Sequence, residues 1–330
     1  MKGMNMFSGK KVLVTGGSGM IGRYLVDLLL EEGADVHVVA LDDNFVPPDG
    51  VTYTKADLTE KQVCNKVCKG MDHVFHLAGV KGSPRVTVER PASFMVPLMQ
   101  FNLNMMEAAW NNGVERYLYT SSIGVYQPAP ILKEDDVWQT SPSPNDRCSG
   151  WAKRMGELQA EAYRIEHGWD DIVIVRPANI YGRHDTFDAE SGAMVVPSLI
   201  LRALSGGDTL TVWGDGSSKR DFLHAQDAAR GILHMMKANP SEPVNLGSGV
   251  GVSIKDLVSV ILECIGTYPK VVWDTSKPAG DAMRILDVTR ATSLGWKPTI
   301  SLEEGIFDTC EWLKQNWDIA FNRYSVFSKG

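Results

Sequence analysis

Glycines 16, 19 and 22 stand three apart, between the apolar run Lys11-Val12-Leu13-Val14-Thr15 and a helical stretch from Met20 to Glu32. No other feature of the chain restricts its fold as strongly. Glycines so placed allow a tight turn after a strand, close approach of backbone to a pyrophosphate, and close packing of the next helix on that strand. The start of that helix, at Met20 and Ile21, then faces the phosphates with its free N–H groups. A glycine triplet alone is weak evidence; a strand before it and a helix after it are the context that gives it meaning. The expectation is a dinucleotide cradle made by Gly16, Gly19, Met20, Ile21 and Gly22.

Asp42 adds a second constraint. It follows the β-branched run Val36 to Leu41, about 20 residues beyond the last glycine, where a carboxylate can accept both adenosine ribose hydroxyls and repel a 2′-phosphate. That reading favours NAD and makes NADP the less favoured cofactor. The alternative is a turn, because Asp42-Asp43-Asn44 is good turn chemistry.

Apolar runs at Asp72 to Leu77, Arg116 to Thr120 and Asp171 to Val175 continue the alternation of strands and helices. This is the pattern of an α/β fold, a doubly wound (Rossmann) parallel sheet. Since 330 residues exceed one ordinary core, a smaller C-terminal substrate lobe is expected. Residues 1–177 would be the dinucleotide-binding part, with a return near 222–247, and residues 178–330 mainly the substrate lobe. Longer loops rich in Gly, Asp and Ser begin after Pro177, together with a helix over Ile254 to Ile265. The run Glu134-Asp135-Asp136 reads as a solvated loop.

Other classes are set aside on composition. The net charge is −7 with acids and bases interspersed, which argues against nucleic acid or an anionic membrane as partner. No apolar run is long enough to span a bilayer, and the six residues before Phe7 are too short for a signal-peptide core. Five cysteines without tight spacing form no disulfide framework, so the expected compartment is the cytoplasm. Cys64 and Cys68 lie four apart on one helix but lack further ligands at zinc spacing. They read as buried structural thiols, and no metal is expected. Trp110, Trp312 and Trp317 read as packing residues.

Several further motifs occur in order: Asp57-Leu58, His76-Leu77-Ala78-Gly79, Thr120-Ser121-Ser122 with Val125-Tyr126, and Arg176-Pro177-Ala178-Asn179-Ile180-Tyr181-Gly182. With the glycine turn they resemble the extended short-chain dehydrogenase/reductase superfamily, in its nucleotide-sugar epimerase/dehydratase branch. The resemblance runs from about Lys11 to about Gly305. Residues 179–187 are similar to a loop of the GDP-fucose synthases, and residues 78–81 to a stretch of the UDP-galactose 4-epimerases.

The resemblance implies an NAD-dependent oxidoreductase or epimerase acting at the C4 hydroxyl of a nucleoside-diphosphate hexose, working as a homodimer. Asp57 and Leu58 would hold the adenine, and Ala78, Gly79, Lys81, Lys153 and Pro177 the remainder of the cofactor. Ser122 would bind the sugar hydroxyl, or else simply cap the turn after its strand. His184 falls where the family places a proton donor for epimerisation, although a surface-loop histidine is the plainer alternative. The matching cysteine base is replaced by Gly124. Asn179, Trp213, Arg220 and Arg284 would contact the nucleotide sugar, Arg220 through its phosphates, and Lys277 to Asp281 would lie beside them.

One departure stands out. The family's Tyr-x-x-x-Lys has its lysine at Lys153, but four residues earlier stands Ser149. A serine cannot form the phenolate that chemistry uses. Another residue then carries the proton, or the chain is a catalytically weakened binding protein that keeps its cofactor and nucleotide-sugar sites. Cys148 is a minor candidate for the proton carrier. A 4,6-dehydratase is the third alternative.

Overall fold

The computed structural model describes residues 5–82, 84–187, 193–277 and 280–321. The glycine turn lies between strand β1 (Lys11–Thr15) and helix α1 (Met20–Glu31). Helix α1 runs into Gly33, whose φ of +77° suits a residue without a side chain. The alternation continues through β2 (Asp35–Ala40), β3 (Thr52–Lys55), α2 (Lys61–Cys68), β4 (His73–His76), α3 (Pro84–Glu89), α4 (Pro91–Asn111), β5 (Arg116–Thr120), α5 (Arg147–His167) and β6 (Ile172–Pro177).

After it come β7 (Asn179–Tyr181), α6 (Val195–Leu204), β8 (Thr209–Trp213), β9 (Lys219–Arg220), β10 (Phe222–His224), α7 (Ala225–Ala238) and β11 (Val244–Leu246). The remaining elements are β12 (Val252–Ser253), α8 (Ile254–Ile265), β13 (Lys270–Asp274), β14 (Met283–Arg284), α9 (Thr289–Ser293), α10 (Leu302–Gln315) and α11 (Trp317–Ala320).

Among the described residues the main sheet has seven strands in the order β3-β2-β1-β4-β5-β6-β11. All of its pairings are parallel. The order reverses between β1 and β4. That switch point opens a crevice at the carboxyl ends of the strands, where such sheets take ligands.

The period of two along β1 explains the two layers. Val12 and Val14 pack with α1 and α7 on one face, while Leu13 packs with α2, α4 and α5 on the other. A third core joins α6, α8 and α10 over the parallel pair β8–β13.

The expected strand Arg116–Thr120 and helix Ile254–Ile265 have those ends in the structure. One expectation is corrected. Glu134-Asp135-Asp136 is solvated only in part: Asp135 and Asp136 are exposed, but the run opens a 3-10 turn over Glu134–Gln139. Glu134 is buried, accepting a hydrogen bond from the Asn245 amide at 3.1 Å. Acidity predicts solvation only when no partner waits inside, and the returning strand β11 supplies one. No helix among the described residues is long and apolar enough to cross a membrane.

Candidate functional site

The glycine turn is as tight as its sequence implies. Gly16 has a φ of +69°, and a Cβ there would lie 3.0 Å from the Ala78 backbone. A Cβ on Gly22 would come within 2.4 Å of the Gly16 carbonyl oxygen. Both positions are closed to any side chain, so the turn packs backbone to backbone and sets the start of α1 directly after β1, a geometry that fits a pyrophosphate at that helix end.

Asp42 follows β2 at the rim of this cradle, with one carboxylate oxygen bonded to the Ser18 hydroxyl. The Tyr53 hydroxyl donates to its carbonyl at 2.6 Å. Arg23 lies on the same rim: its Nε donates to the Ser18 carbonyl at 3.0 Å, and its guanidinium sits 4.7 Å from the Phe45 ring centre. Asp57 turns its carboxylate toward the Thr59 amide at 2.9 Å, and Leu58 beside it is buried. Ala78 and Gly79 follow β4. Lys81 forms an ion pair with the buried carboxylate of Asp185.

A buried polar chain links the cradle to the lysine helix. Thr15 Oγ1 accepts from the Ala78 amide at 3.1 Å and meets His76 Nδ1 at 2.8 Å. His76 Nε2 meets Asn102 Oδ1 at 3.0 Å, and the Asn102 amide donates to the Tyr119 hydroxyl at 3.0 Å. Tyr119 in turn donates to the Lys153 carbonyl at 3.2 Å.

Burial holds the His76 imidazole down to about 3, and its two neutral partners do little to offset it. Its folded value lies below the unfolded one, so this contribution to stability is complete above about pH 6.5. It should disappear as the pH falls toward 3, at about 1.4 kcal/mol per unit. Urea melts of the wild type and His76→Gln across that range test this: the variant should show the shallower loss.

Ser122 lies two residues beyond β5 and is half-buried; its Oγ accepts from the Gly124 amide at 3.0 Å, so the capping role is real. Lys153, also half-buried, donates to the Thr120 carbonyl at 2.7 Å and lies 5.2 Å from the Tyr119 ring centre. Burial pushes its amine down to about 7. Ser149 donates to the Asp146 carbonyl at 3.1 Å and lines a cavity of about 200 Å³ with Cys148, Asp146, Val88, Pro91 and Phe94.

Tyr126 is no substitute for the absent phenol. It is buried, donates to Asn245 Oδ1 at 2.6 Å and accepts from Arg176 at 3.1 Å, and burial raises its hydroxyl out of the useful range. Arg176 also forms a bidentate pair with Glu157, at 2.9 and 2.7 Å, and both residues are fully buried.

On the substrate side, Arg220 and Arg284 are neighbours in register on β9 and β14. Burial, followed by the Arg284 charge, lowers Arg220 to about 10. Two guanidiniums side by side are a natural anion seat. Arg284 reaches across the crevice: Nη1 bonds Asp146 Oδ2 at 2.6 Å and Nη2 donates to the Ile123 carbonyl at 3.1 Å. Asp281 accepts from Asn145 at 2.8 Å, while Pro278 and Ala279 lie outside the described residues.

Asn179 donates to the Asp221 carbonyl at 2.9 Å, Pro177 closes β6, and Trp213 ends β8 half-exposed. His184 has a φ of +61° and packs on Trp312, with ring centres 4.6 Å apart. Trp110 stacks on His167 at 4.8 Å, so these two tryptophans pack as expected, whereas Trp317 meets Phe321 and stays 39% exposed. Cys64 and Cys68 are buried, and desolvation pushes both thiols up to about 12. No group of three metal-ligating side chains is present among the described residues.

The structure therefore gathers Ser122, Ser149, Arg220 and Arg284 with Asp146 around one end of the crevice. Sequence reasoning missed Asp146, although it lies one helical turn before Ser149. It also missed the Arg176–Glu157 pair, whose two members are 19 residues apart.

The sequence profile of the NAD dependent epimerase/dehydratase family matches residues 12–247. GDP-L-fucose synthase 1 of Arabidopsis thaliana is 32% identical over 316 residues, covering 93% of this chain and 94% of that protein. Among solved structures, the UDP-glucose 4-epimerase of Thermotoga maritima with UDP-glucose superposes with a TM-score of 0.83 at 27% identity, covering 93% of this chain and all of that one. The UDP-glucose 4-epimerase of Thermus thermophilus in complex with NAD gives 0.79 at 26%, covering 92% and 99%.

Proposed function

The chain belongs to the NAD dependent epimerase/dehydratase family, and from that premise we propose that it moves hydride at the C4 position of a nucleoside-diphosphate hexose. The observation that carries this is the crevice itself. The glycine turn follows β1 at the sheet's switch point, Ser122 and the Lys153 amine stand at the end of β5, and Arg284, beside Arg220, bonds the Ile123 carbonyl next to Ser122. A nicotinamide dinucleotide, when bound, supplies the acceptor and donor of hydride.

The protein's own part is to bind, orient and handle the proton. Gly16, Gly19 and Gly22 leave room for the pyrophosphate beside Ala78 and Gly79, and Ser122 offers its hydroxyl to the sugar oxygen. Lys153, held by the Thr120 carbonyl, sets the floor on the cofactor side. Arg220 takes the nucleotide's diphosphate, with Asn179 and Trp213 toward its sugar and base. His184 is the donor if the sugar is also epimerised. Residues 1–177 with the return at 222–247 form the cofactor lobe in this reading.

The test is absorbance in the reduced-nicotinamide band after GDP-, UDP- and dTDP-hexoses are added to purified protein with NAD or NADP. Reduction with at least one sugar is expected. Ser149 favours a second reading, a binding protein without turnover. Tight nucleotide-sugar binding with persistent silence in that band would establish it.

Asp42 at the ribose rim supports NAD over NADP. Asp42→Ala is expected to weaken NAD binding by about 1.5–3 kcal/mol, the value of a charged hydrogen bond, and to narrow the preference over NADP. Calorimetric titration with both dinucleotides decides this; unchanged NAD affinity removes Asp42 from the ribose.

We also propose a homodimer. Val96 and Leu103 on α4, and Leu158 and Ile165 on α5, are seven residues apart on each helix and 40–77% exposed, a stripe that two copies could bury. Light scattering should give a dimer for the wild type and a monomer for Leu103→Glu/Leu158→Glu. A monomeric wild type sinks the idea. Five free cysteines support a cytoplasmic location.

A further inference from the structure

We propose that Asp146 takes the place of the missing phenol, exchanging the proton of the reacting sugar hydroxyl through its Oδ1. The inference rests on the hydride-transfer reading above. Four observations converge on this carboxylate.

It lines the same cavity as Ser149, one helical turn away on the entry to α5. It also lies beside the sugar-binding hydroxyl: a single point, where a Cβ on Gly124 would sit, is 3.4 Å from Ser122 Oγ and 3.6 Å from the Asp146 carboxyl carbon. Thirdly, its orientation is fixed. Arg284 holds Oδ2 at 2.6 Å, and the Asp146 side chain is 23% exposed, which leaves Oδ1 as the oxygen outside that ion pair.

Fourthly, the phenols and the amine nearby are committed, which among the described residues leaves only the Cys148 thiol in the same cavity as a rival. Tyr126 and Tyr119 bond inward, and the Lys153 amine is held on the Thr120 carbonyl. The charged groups around Asp146 are Arg284 on β14, Arg220 on β9 and Asp281 before β14.

In the oxidative direction the sugar O–H bond breaks and its proton passes to Asp146 Oδ1. The electron pair of the adjacent C–H bond leaves as hydride to the oxidised nicotinamide, and the C=O bond forms. Reduction reverses each movement. A glycine at position 124 is part of the arrangement, because a larger side chain would stand between Ser122 and Asp146.

The experiment uses the full chain and the hexose found to reduce the nicotinamide. Asp146→Asn should lower single-turnover hydride transfer by about 10²–10⁴-fold, the usual worth of general acid–base assistance. Its affinity for the nucleotide sugar, measured calorimetrically, should stay within about threefold of wild type. Asp146→Glu should recover much of the rate. Added formate should raise the rate of Asp146→Ala, and Ser149→Tyr should restore turnover in the Asp146→Asn background.

A wild-type rate in Asp146→Asn overturns the assignment, as does a loss that glutamate, formate and the tyrosine all leave unrepaired. If the wild type reduces no nicotinamide with any nucleotide sugar, the hydride-transfer reading fails, and this one with it. Failure of Asp146 alone leaves that reading standing.

Discussion

Glu157→Gln is expected to destabilise the fold by about 3–5 kcal/mol, because it leaves a buried guanidinium without its counter-charge. Arg176 and Glu157 are 0% and 3% exposed and are joined by two hydrogen bonds of 2.9 and 2.7 Å. Glu157 also accepts from the buried Ser121 hydroxyl. The double variant Arg176→Met/Glu157→Leu, which removes both charges and keeps comparable volume, should recover most of that loss. Chemical denaturation of the three proteins tests it. Equal damage in single and double variants would mean that packing, not the stranded charge, sets the cost. Glu157 holds the hydroxyl of Ser121, the chain neighbour of Ser122, so in the proposed reading the single variant should lose nucleotide-sugar affinity as it loosens.

Lys153→Met is expected to move activity and stability in opposite directions. The amine is held by the Thr120 carbonyl, and in the proposed reading its loss misplaces the cofactor, which should cost hydride transfer about 10²-fold. Stability should respond to pH with a definite sign. Burial lowers the folded value to about 7 from 10.5, so the folded state binds fewer protons than the unfolded chain between those values. The stability of the wild type should therefore rise as pH rises from 7 to 10.5, and its lysine contribution should vanish as pH falls through 7.

Methionine fills similar space without that desolvation, so the variant should be at least as stable at pH 7 and should lack this part of the slope. Single-turnover absorbance and urea melts at pH 7 and 9 check both halves. A variant with unchanged hydride transfer would remove Lys153 from the chemistry. One with a lower melting midpoint at pH 7 would mean that its hydrogen bond outweighs its burial.

Local sequence determined the glycine turn and the elements around it. Strand β1, the turn at Gly16 to Gly22 and helix α1 are contiguous, and each is specified by its own residues: β-branched side chains, missing Cβ atoms, apolar periodicity. The α/β class followed from repeating that pattern, and the family followed from motifs whose order survives in the chain. Ser149 was equally legible, because a four-residue spacing to Lys153 on one helix needs no tertiary information.

Tertiary structure alone decided what surrounds that serine. Asp146 Oδ2 meets Arg284 across 138 residues of chain, Tyr126 bonds to Asn245 across 119, and Glu134 is buried because β11 returns beside it. Each outcome depends on which distant backbone or charge fills the space opposite, and burial then fixes protonation and orientation. Periodicity reports which face of an element turns inward, but not what it will meet there. A sequence can thus show that serine stands four residues before Lys153, whereas only the folded structure brings Asp146 and Arg284 together beside it.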